Sequence, residues 1–423
     1  MSGFPYHDGV LHAEDVPLPV LAEAVGTPFY VYSTAAMATA WRDLVEAFDR
    51  HYPVMPCYAV KANGNLAVIR TLARLGAGAD VVSGGELRRA LAAGVPPDRI
   101  VFSSVGKTKE ELAAALDAGI HQINVESVPE LKALSEVAAD RGVTAPVAIR
   151  VNPDVDAMTL AQITTGTRDN KFGIDIEQAP EVYALARTLP GIDPCALAMH
   201  IGSQITRLEP FRDAYTRVAG LTRALRSQGF PISRLDLGGG FAITYRDETP
   251  TDLTGFARLI RDIVGPLGCQ VILEPGRVLV GNAGLLVTRV IYVKTELARD
   301  FVIVDGAMND LIRPALYKAW HDILPVREPP PGAPAAPYDV VGPVCESSDS
   351  FAQARPLAAP AAGDLLAFAS AGAYGASMAS TYNARPLVPE VLVDGHRFAI
   401  VRKRPTFEEM VALETLPPWL DGG

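Results

Sequence analysis

Residues 56–83 decide the fold: Pro56-Cys57-Tyr58-Ala59-Val60-Lys61, then Asn65–Leu75, then Gly76, then Ala79-Asp80-Val81-Val82-Ser83. The first and last runs are short and apolar, which predicts buried strands. The stretch between them is rich in Ala, Leu and Arg and has its apolar residues at helical spacing. Gly76 suits the left-handed position that closes a helix. A strand, a helix and a second strand make a βα unit, and such units build parallel sheets.

Working outward, the same rhythm continues to residue 276. Further strands are expected at Ile100–Ser104, Gln122–Glu126, Val147–Asn152, Leu197–Ile201, Arg234–Leu237 and Gln270–Leu273, with helices between them. Eight strand–helix units predict an α/β fold built on a (β/α)8 TIM-like barrel. An open doubly wound sheet is the rival, but no G-x-G-x-x-G follows the first strand. After Gly276 the pattern turns β-rich, with Val278–Val293 read as a strand and the proline-rich Pro325–Pro337 as an exposed loop. Pro28–Tyr32, near the start, is another strand-like run. The expected domains are therefore a cofactor-binding barrel over 36–277 and a β-rich barrel or sandwich made of 1–35 and 278–423.

The 423 residues are 49% hydrophobic and 20% charged, which supports large cores and excludes disorder. A net charge of −10 without a basic run argues against nucleic acid. Cys57, Cys195, Cys269 and Cys345 form no C-x-x-C pair, so neither a disulfide scaffold nor a metal site is expected. The N-terminal residues lack a basic segment followed by an apolar one, and no apolar stretch is long enough for a membrane span. A cytoplasmic protein is expected.

Reactive groups of such barrels collect at the C-terminal ends of the strands. The first strand runs into Lys61, the sixth into His200-Ile201-Gly202-Ser203-Gln204, the seventh into Gly238-Gly239-Gly240, and the eighth into Glu274-Pro275-Gly276-Arg277. A lysine ending a strand is usually solvated. Enclosed in a site, its desolvated amine becomes competent for a Schiff base. Glycine runs on the last two strands, with Ser203 nearby, suit a phosphate cradle. His200 offers a flat ring for stacking, and Glu274 a carboxyl for a protonated ring nitrogen. Lysine, cradle, ring and carboxylate together describe a pyridoxal 5'-phosphate site.

With these motifs in their order, from Thr27-Pro28 to Tyr382-Asn383, the chain resembles the fold-type III pyridoxal-phosphate-dependent decarboxylases over nearly its whole length. The resemblance is strongest to the branch that converts meso-2,6-diaminopimelate to L-lysine and CO2, the last step of lysine biosynthesis. It implies Lys61 as the Schiff-base lysine, His200 stacked on the cofactor and Glu274 beside the pyridine nitrogen. Gly238, Gly239, Gly240, Pro275, Gly276 and Arg277 would surround the phosphate, with Ser203 and Tyr374 adding hydroxyls. Cys345 would act as a proton donor, with Glu346 facing the substrate's distal ammonium. The Cys345-Glu346 pair would reach the partner's site in a homodimer. Arg277 and Arg313 offer permanent cations to a distal carboxylate, and Tyr317 follows Arg313 on the same helical face. Many members carry a His-Pro pair after Asn152-Pro153-Asp154-Val155-Asp156, where this chain has Leu160-Ala161-Gln162.

Three rivals stay open: a related decarboxylase of ornithine, arginine or carboxynorspermidine, an alanine-racemase-like enzyme, and a non-catalytic cofactor-binding homologue.

Overall fold

The structure, a computed structural model, describes residues 3–157 and 171–420. Leu160-Ala161-Gln162 lies outside the described residues. Two compact units are present, Ala36–Gly281 and Met1–Ala35 with Asn282–Gly423.

In the first unit eight parallel strands form a ring: Val54–Ala59, Gly78–Val81, Ile100–Phe102, Gln122–Val125, Ala145–Asn152, Ile192–Ala198, Arg234–Asp236 and Gln270–Leu273, with the two-residue Ile174–Asp175 pairing onto the end of the fifth. The eighth pairs back onto the first, with Leu273 opposite Pro56. That pairing closes the barrel and removes both sheet edges. Burial of both faces is why these strands read as nearly continuous apolar runs. Outside the strands, Phe256 meets Phe211 edge-on at 4.7 Å and Phe241 at 4.8 Å between centroids. Each such contact contributes about 0.5–1.5 kcal/mol beyond area burial.

The helices begin and end where their side chains supply missing partners. Asn65 accepts from the Ala67 amide, Thr108 and Glu111 form a reciprocal capping box, and Gly119 and Gly142 close two helices with φ near +65° (67° and 63°). Some expected strands end early. Ser83 does not finish the second strand; its Oγ accepts from the Glu86 amide at 3.2 Å and caps helix Gly84–Ala92. The sixth strand stops at Ala198, so His200 lies beyond it.

The second unit carries a nine-stranded sheet in which Phe29–Ser33 pairs with both Gly284–Lys294 and Glu390–Asp394. Leu11, Phe29, Val31, Leu285, Val287 and Val391 form its core. The expected strand Val278–Val293 is corrected: Arg277–Val280 is helical, and the strand starts only at Gly284. A short apolar run fits either state by periodicity, and Gly281-Asn282 separates the two here. The proline-rich segment is corrected as well, because Ile323–Pro325 and Ala335–Val341 are strands at its two ends. Pro337 is tolerated because only Ser350–Ala358 pairs with it, the other neighbouring strand starting at Tyr338.

Among the described residues no helix is long and apolar enough to cross a membrane.

Candidate active site

The first barrel strand hands the chain to a single 3-10 turn, Val60–Ala62, which carries Lys61. The Tyr58 hydroxyl donates to the Asn63 carbonyl at 2.9 Å, and the Ala59 amide donates to the Pro275 carbonyl at 3.0 Å. The first bond closes the lysine turn, and the second joins it to the end of the eighth strand. A side chain on Gly276 would come within 3.1–3.2 Å of the Ala59 and Ala62 methyls, so glycine is what lets the two turns approach. Lys61 Nζ donates to Oδ2 of Asp80, which is fully buried on the second strand, whereas Lys61 is 35% exposed.

Asp80, Asp236 and Glu274 are buried carboxyls on the strands or at the strand ends of the barrel. A directed chain of hydrogen bonds serves the last two. Gln122 Nε2 donates to Asn124 Oδ1 at 2.9 Å. Asn124 Nδ2 donates to Asp236 Oδ2 at 2.8 Å and to Ser103 Oγ at 3.0 Å. An amide nitrogen only donates, so the single Ser103 proton points onward, to Glu274 Oε1 at 3.1 Å. Burial, then repulsion from Asp236 and Asp80, pushes the Glu274 carboxyl well above its ordinary range. Burial likewise raises Asp236 to about 6.

The glycine run packs with no room to spare. A Cβ on Gly239 would fall 2.2 Å from the Glu274 carbonyl oxygen, and one on Gly240, at φ +101°, 2.5 Å from the Gly202 oxygen. The Gly238 amide donates to Asp236 Oδ1 at 3.1 Å and the Gly239 amide to His200 Nδ1 at 3.2 Å. His200 Nδ1 therefore accepts, and the ring proton sits on Nε2. Burial, together with the positive charges of Arg150 and Lys61, holds the imidazole well below its usual pKa, so it is neutral. Arg277 is buried, donating from Nη1 to the Tyr245 hydroxyl at 2.6 Å and from Nη2 to Ser203 Oγ at 3.0 Å.

The expected residues of the β-rich unit form their own groups. Arg313 opens the short helix Arg313–Tyr317; it is buried, and Tyr317 is half-buried. Cys345 and Glu346 are exposed on the loop after Ala335–Val341. Cys345 Sγ lies 3.6 Å from Asn383 Oδ1. Glu346 accepts from the Tyr382 hydroxyl and, at 3.0 Å, from Ser348 Oγ. Those two donors hold the Glu346 carboxyl below its ordinary range. Asp349 organises the loop, accepting from the Val344 amide at 2.7 Å and the Met308 amide at 2.6 Å. Tyr374 is half-buried in a left-handed conformation, φ +56°.

Lys61, His200, Ser203, Gly238–Gly240 and Glu274–Arg277 thus share the C-terminal end of one barrel. Arg313 with Tyr317, and Cys345 with Glu346, belong to the other unit. Sequence reading missed Asp80, Ser103, Asn124, Asp236, Tyr245, His321 and Asp349. For Asp80 and Asp236 a signal existed, an acid inside an apolar strand.

The barrel end fits a planar, phosphorylated pyridine aldehyde. It offers an amine beside a carboxylate, a neutral flat ring, a carboxyl of high proton affinity and a cradle that only glycine can line.

Residues 34–281 match the family described as pyridoxal-dependent decarboxylase, pyridoxal binding domain. Over 99% of its length the chain is 50% identical to diaminopimelate decarboxylase of Vibrio cholerae, all of which it covers. It is 51% identical to that of Pseudomonas aeruginosa with the same coverage. The solved diaminopimelate decarboxylase of M. jannaschii in complex with L-lysine aligns with TM-score 0.94 and 36% identity, 99% of each chain being covered. That of Helicobacter pylori complexed with L-lysine aligns with TM-score 0.90 and 40% identity, covering 94% of this chain and 99% of the other. The chain belongs to the diaminopimelate decarboxylase family of pyridoxal-dependent decarboxylases.

Proposed function

We propose that this protein decarboxylates meso-2,6-diaminopimelate to L-lysine and CO2, the last step of lysine biosynthesis, using pyridoxal 5'-phosphate. The observation that carries the reading is the barrel-end set of Lys61 on Asp80, neutral His200 and proton-retaining Glu274, in a chain similar over its length to diaminopimelate decarboxylases. When bound, the cofactor supplies an electron sink for the pair left behind as CO2 departs.

The chain's own residues do the rest. Lys61 would hold the cofactor through Nζ, which donates to the Asp80 carboxylate. Glu274, whose Oε1 accepts from Ser103, would stand beside the pyridine nitrogen, where a carboxyl of raised proton affinity can supply and share a proton. His200, uncharged, would lie against the ring and exclude water from it. Two of the three amides of the glycine run serve Asp236 and His200. Gly240, Gly276-Arg277 and the Ser203 hydroxyl would hold the phosphate, joined by the Tyr374 hydroxyl as the family resemblance implies.

Substrate choice rests on charge. Arg313 and Tyr317 take the distal carboxylate, joined by Arg277 as the family resemblance implies, because a guanidinium pairs with it through two parallel hydrogen bonds and cannot lose its charge. Glu346, held ionised by Tyr382 and Ser348, faces the distal ammonium. Cys345 delivers the proton that replaces the lost carboxyl on Cα. The exposure of Cys345 and Glu346 in the single chain supports a homodimer in which this turn completes the partner's site.

The test is parallel incubation of the cofactor-loaded protein with meso-diaminopimelate, ornithine and arginine, following CO2 and amine products. Release of CO2 and L-lysine from the first alone is expected. Preference for ornithine or arginine would move the substrate assignment.

A further inference from the structure

Arg313 has a partner of an unusual kind. Its Nη1 donates to His321 Nε2 at 2.8 Å, and both side chains are buried, at 7% and 1% exposure. On the far side of the ring His321 Nδ1 lies 2.7 Å from the Ala369 carbonyl oxygen. A guanidinium has only donors. Nε2 must therefore accept and carry no hydrogen, and the ring's proton must sit on Nδ1, donating to Ala369. One neutral tautomer satisfies both contacts, and a doubly protonated ring satisfies only one.

The local chain is built to deliver this histidine. Lys318 ends the Arg313–Tyr317 helix in the left-handed conformation, φ +52°, which turns the backbone back toward Arg313. The Ala369 amide donates to the Asp322 carbonyl at 2.8 Å, so the backbone beside His321 is bonded to the residue that receives its proton. Trp320 Nε1 donates to Asp322 Oδ1 at 2.7 Å, and the Arg355 guanidinium stacks 3.4 Å over the Trp320 ring.

We infer that His321 is a positioning residue for substrate selection: held by Ala369, its neutral Nε2 fixes the orientation of the Arg313 guanidinium without neutralising its charge. A carboxylate at 321 would hold the guanidinium equally well but would compete with the substrate's distal carboxylate for the same charge. A neutral acceptor orders the side chain without adding a negative charge that competes with the substrate. This inference rests on the reading above that Arg313 takes the distal carboxylate.

Two near-isosteric variants separate the functions of the two ring nitrogens. In His321→Gln the amide oxygen replaces Nε2 and still accepts from Arg313. In His321→Asn the amide nitrogen replaces Nδ1, keeping the Ala369 bond while losing reach to Arg313. Steady-state kinetics of the holoenzymes with meso-diaminopimelate, alongside their melting temperatures, provide the comparison. His321→Asn should raise KM about 10-fold with kcat little changed, a loss of the size expected for one hydrogen bond to a charged group. His321→Gln should stay close to wild type. Adding His321→Asn to Arg313→Ala should cost nothing further, since residues acting through one contact are not additive.

A purely architectural histidine predicts the opposite order, with His321→Asn tolerated and His321→Gln impaired in both melting and turnover. That order, or additive losses in the double variant, overturns the inference while leaving the substrate reading intact. Absence of wild-type turnover of diaminopimelate removes that reading and this inference with it.

Discussion

Lys61 Nζ donates to Oδ2 of Asp80, and the other oxygen of this buried carboxylate has no hydrogen-bond partner among the described residues. The lysine that carries the cofactor in the proposed reaction therefore has its counter-ion one strand away.

Asp80→Asn keeps the shape and removes the charge. A hydrogen bond to a charged group is worth about 1.5–3 kcal/mol, or roughly 10–150-fold in kcat/KM. Lys61 is 35% exposed, so solvent screening favours the lower part of that range. The cofactor should still load, as read by its visible absorbance. Unchanged kcat/KM would show that the ion pair has no part in turnover.

Gly239→Ala tests the cradle. The new methyl would sit 2.2 Å from the Glu274 carbonyl oxygen, a backbone atom that cannot rotate away. Overpacking of this kind costs about 1–3 kcal/mol, so cofactor affinity should fall by roughly 10–100-fold. Titration of the cofactor-free protein, followed by fluorescence, measures it. Wild-type affinity would mean that the strand end relaxes freely.

The buried acids make stability depend on pH in a direction that can be worked out. Asp236 is raised from 3.8 to about 6, so between those values the folded protein binds more protons than the unfolded chain. Its contribution is therefore fully present below about pH 4 and is lost as pH rises through about 6. Asp236→Asn does not titrate. Relative to wild type it should gain stability between about pH 4 and pH 7, read from denaturant midpoints of the cofactor-free proteins. Parallel curves for the two proteins would refute the assignment.

Shared sites would appear on mixing two dead enzymes. Lys61→Ala and Cys345→Ala remove groups that the proposal assigns to different chains of one site. In a mixed dimer one of the two sites is then wild type. Partial recovery of activity after subunit exchange is expected, and exchange without recovery would place both residues in the same chain's site.

The sequence by itself determined the barrel, because its signals are local. Apolar runs mark the strands, Asn65 and the Thr108–Glu111 box start helices, and Gly119 and Gly142 end them, all within a few residues of the feature they specify. Lys61, His200, the glycine run and Glu274 were legible for the same reason, each standing just past a strand. Strand Ser350–Ala358 was not legible, because bulges in its pairing and the left-handed Ala354, φ +47°, break the two-residue alternation.

Only the tertiary structure decided what surrounds those residues. Ser103 and Glu274 are 171 positions apart, and Asn124 and Asp236 are 112 apart, so their bonds exist only once the barrel closes. Nothing local distinguishes Asp80 as the acid that faces Lys61, or His321 as the base that accepts from Arg313. Closure brings Asp236 and Glu274 together in a lumen where burial and repulsion between carboxyls raise their proton affinity, and the turn at Lys318 brings His321 back to Arg313. Residue types and spacing carry the chemistry that is available. The proton positions and the orientation of each charge follow from contacts between distant parts of the chain, which a linear pattern cannot express.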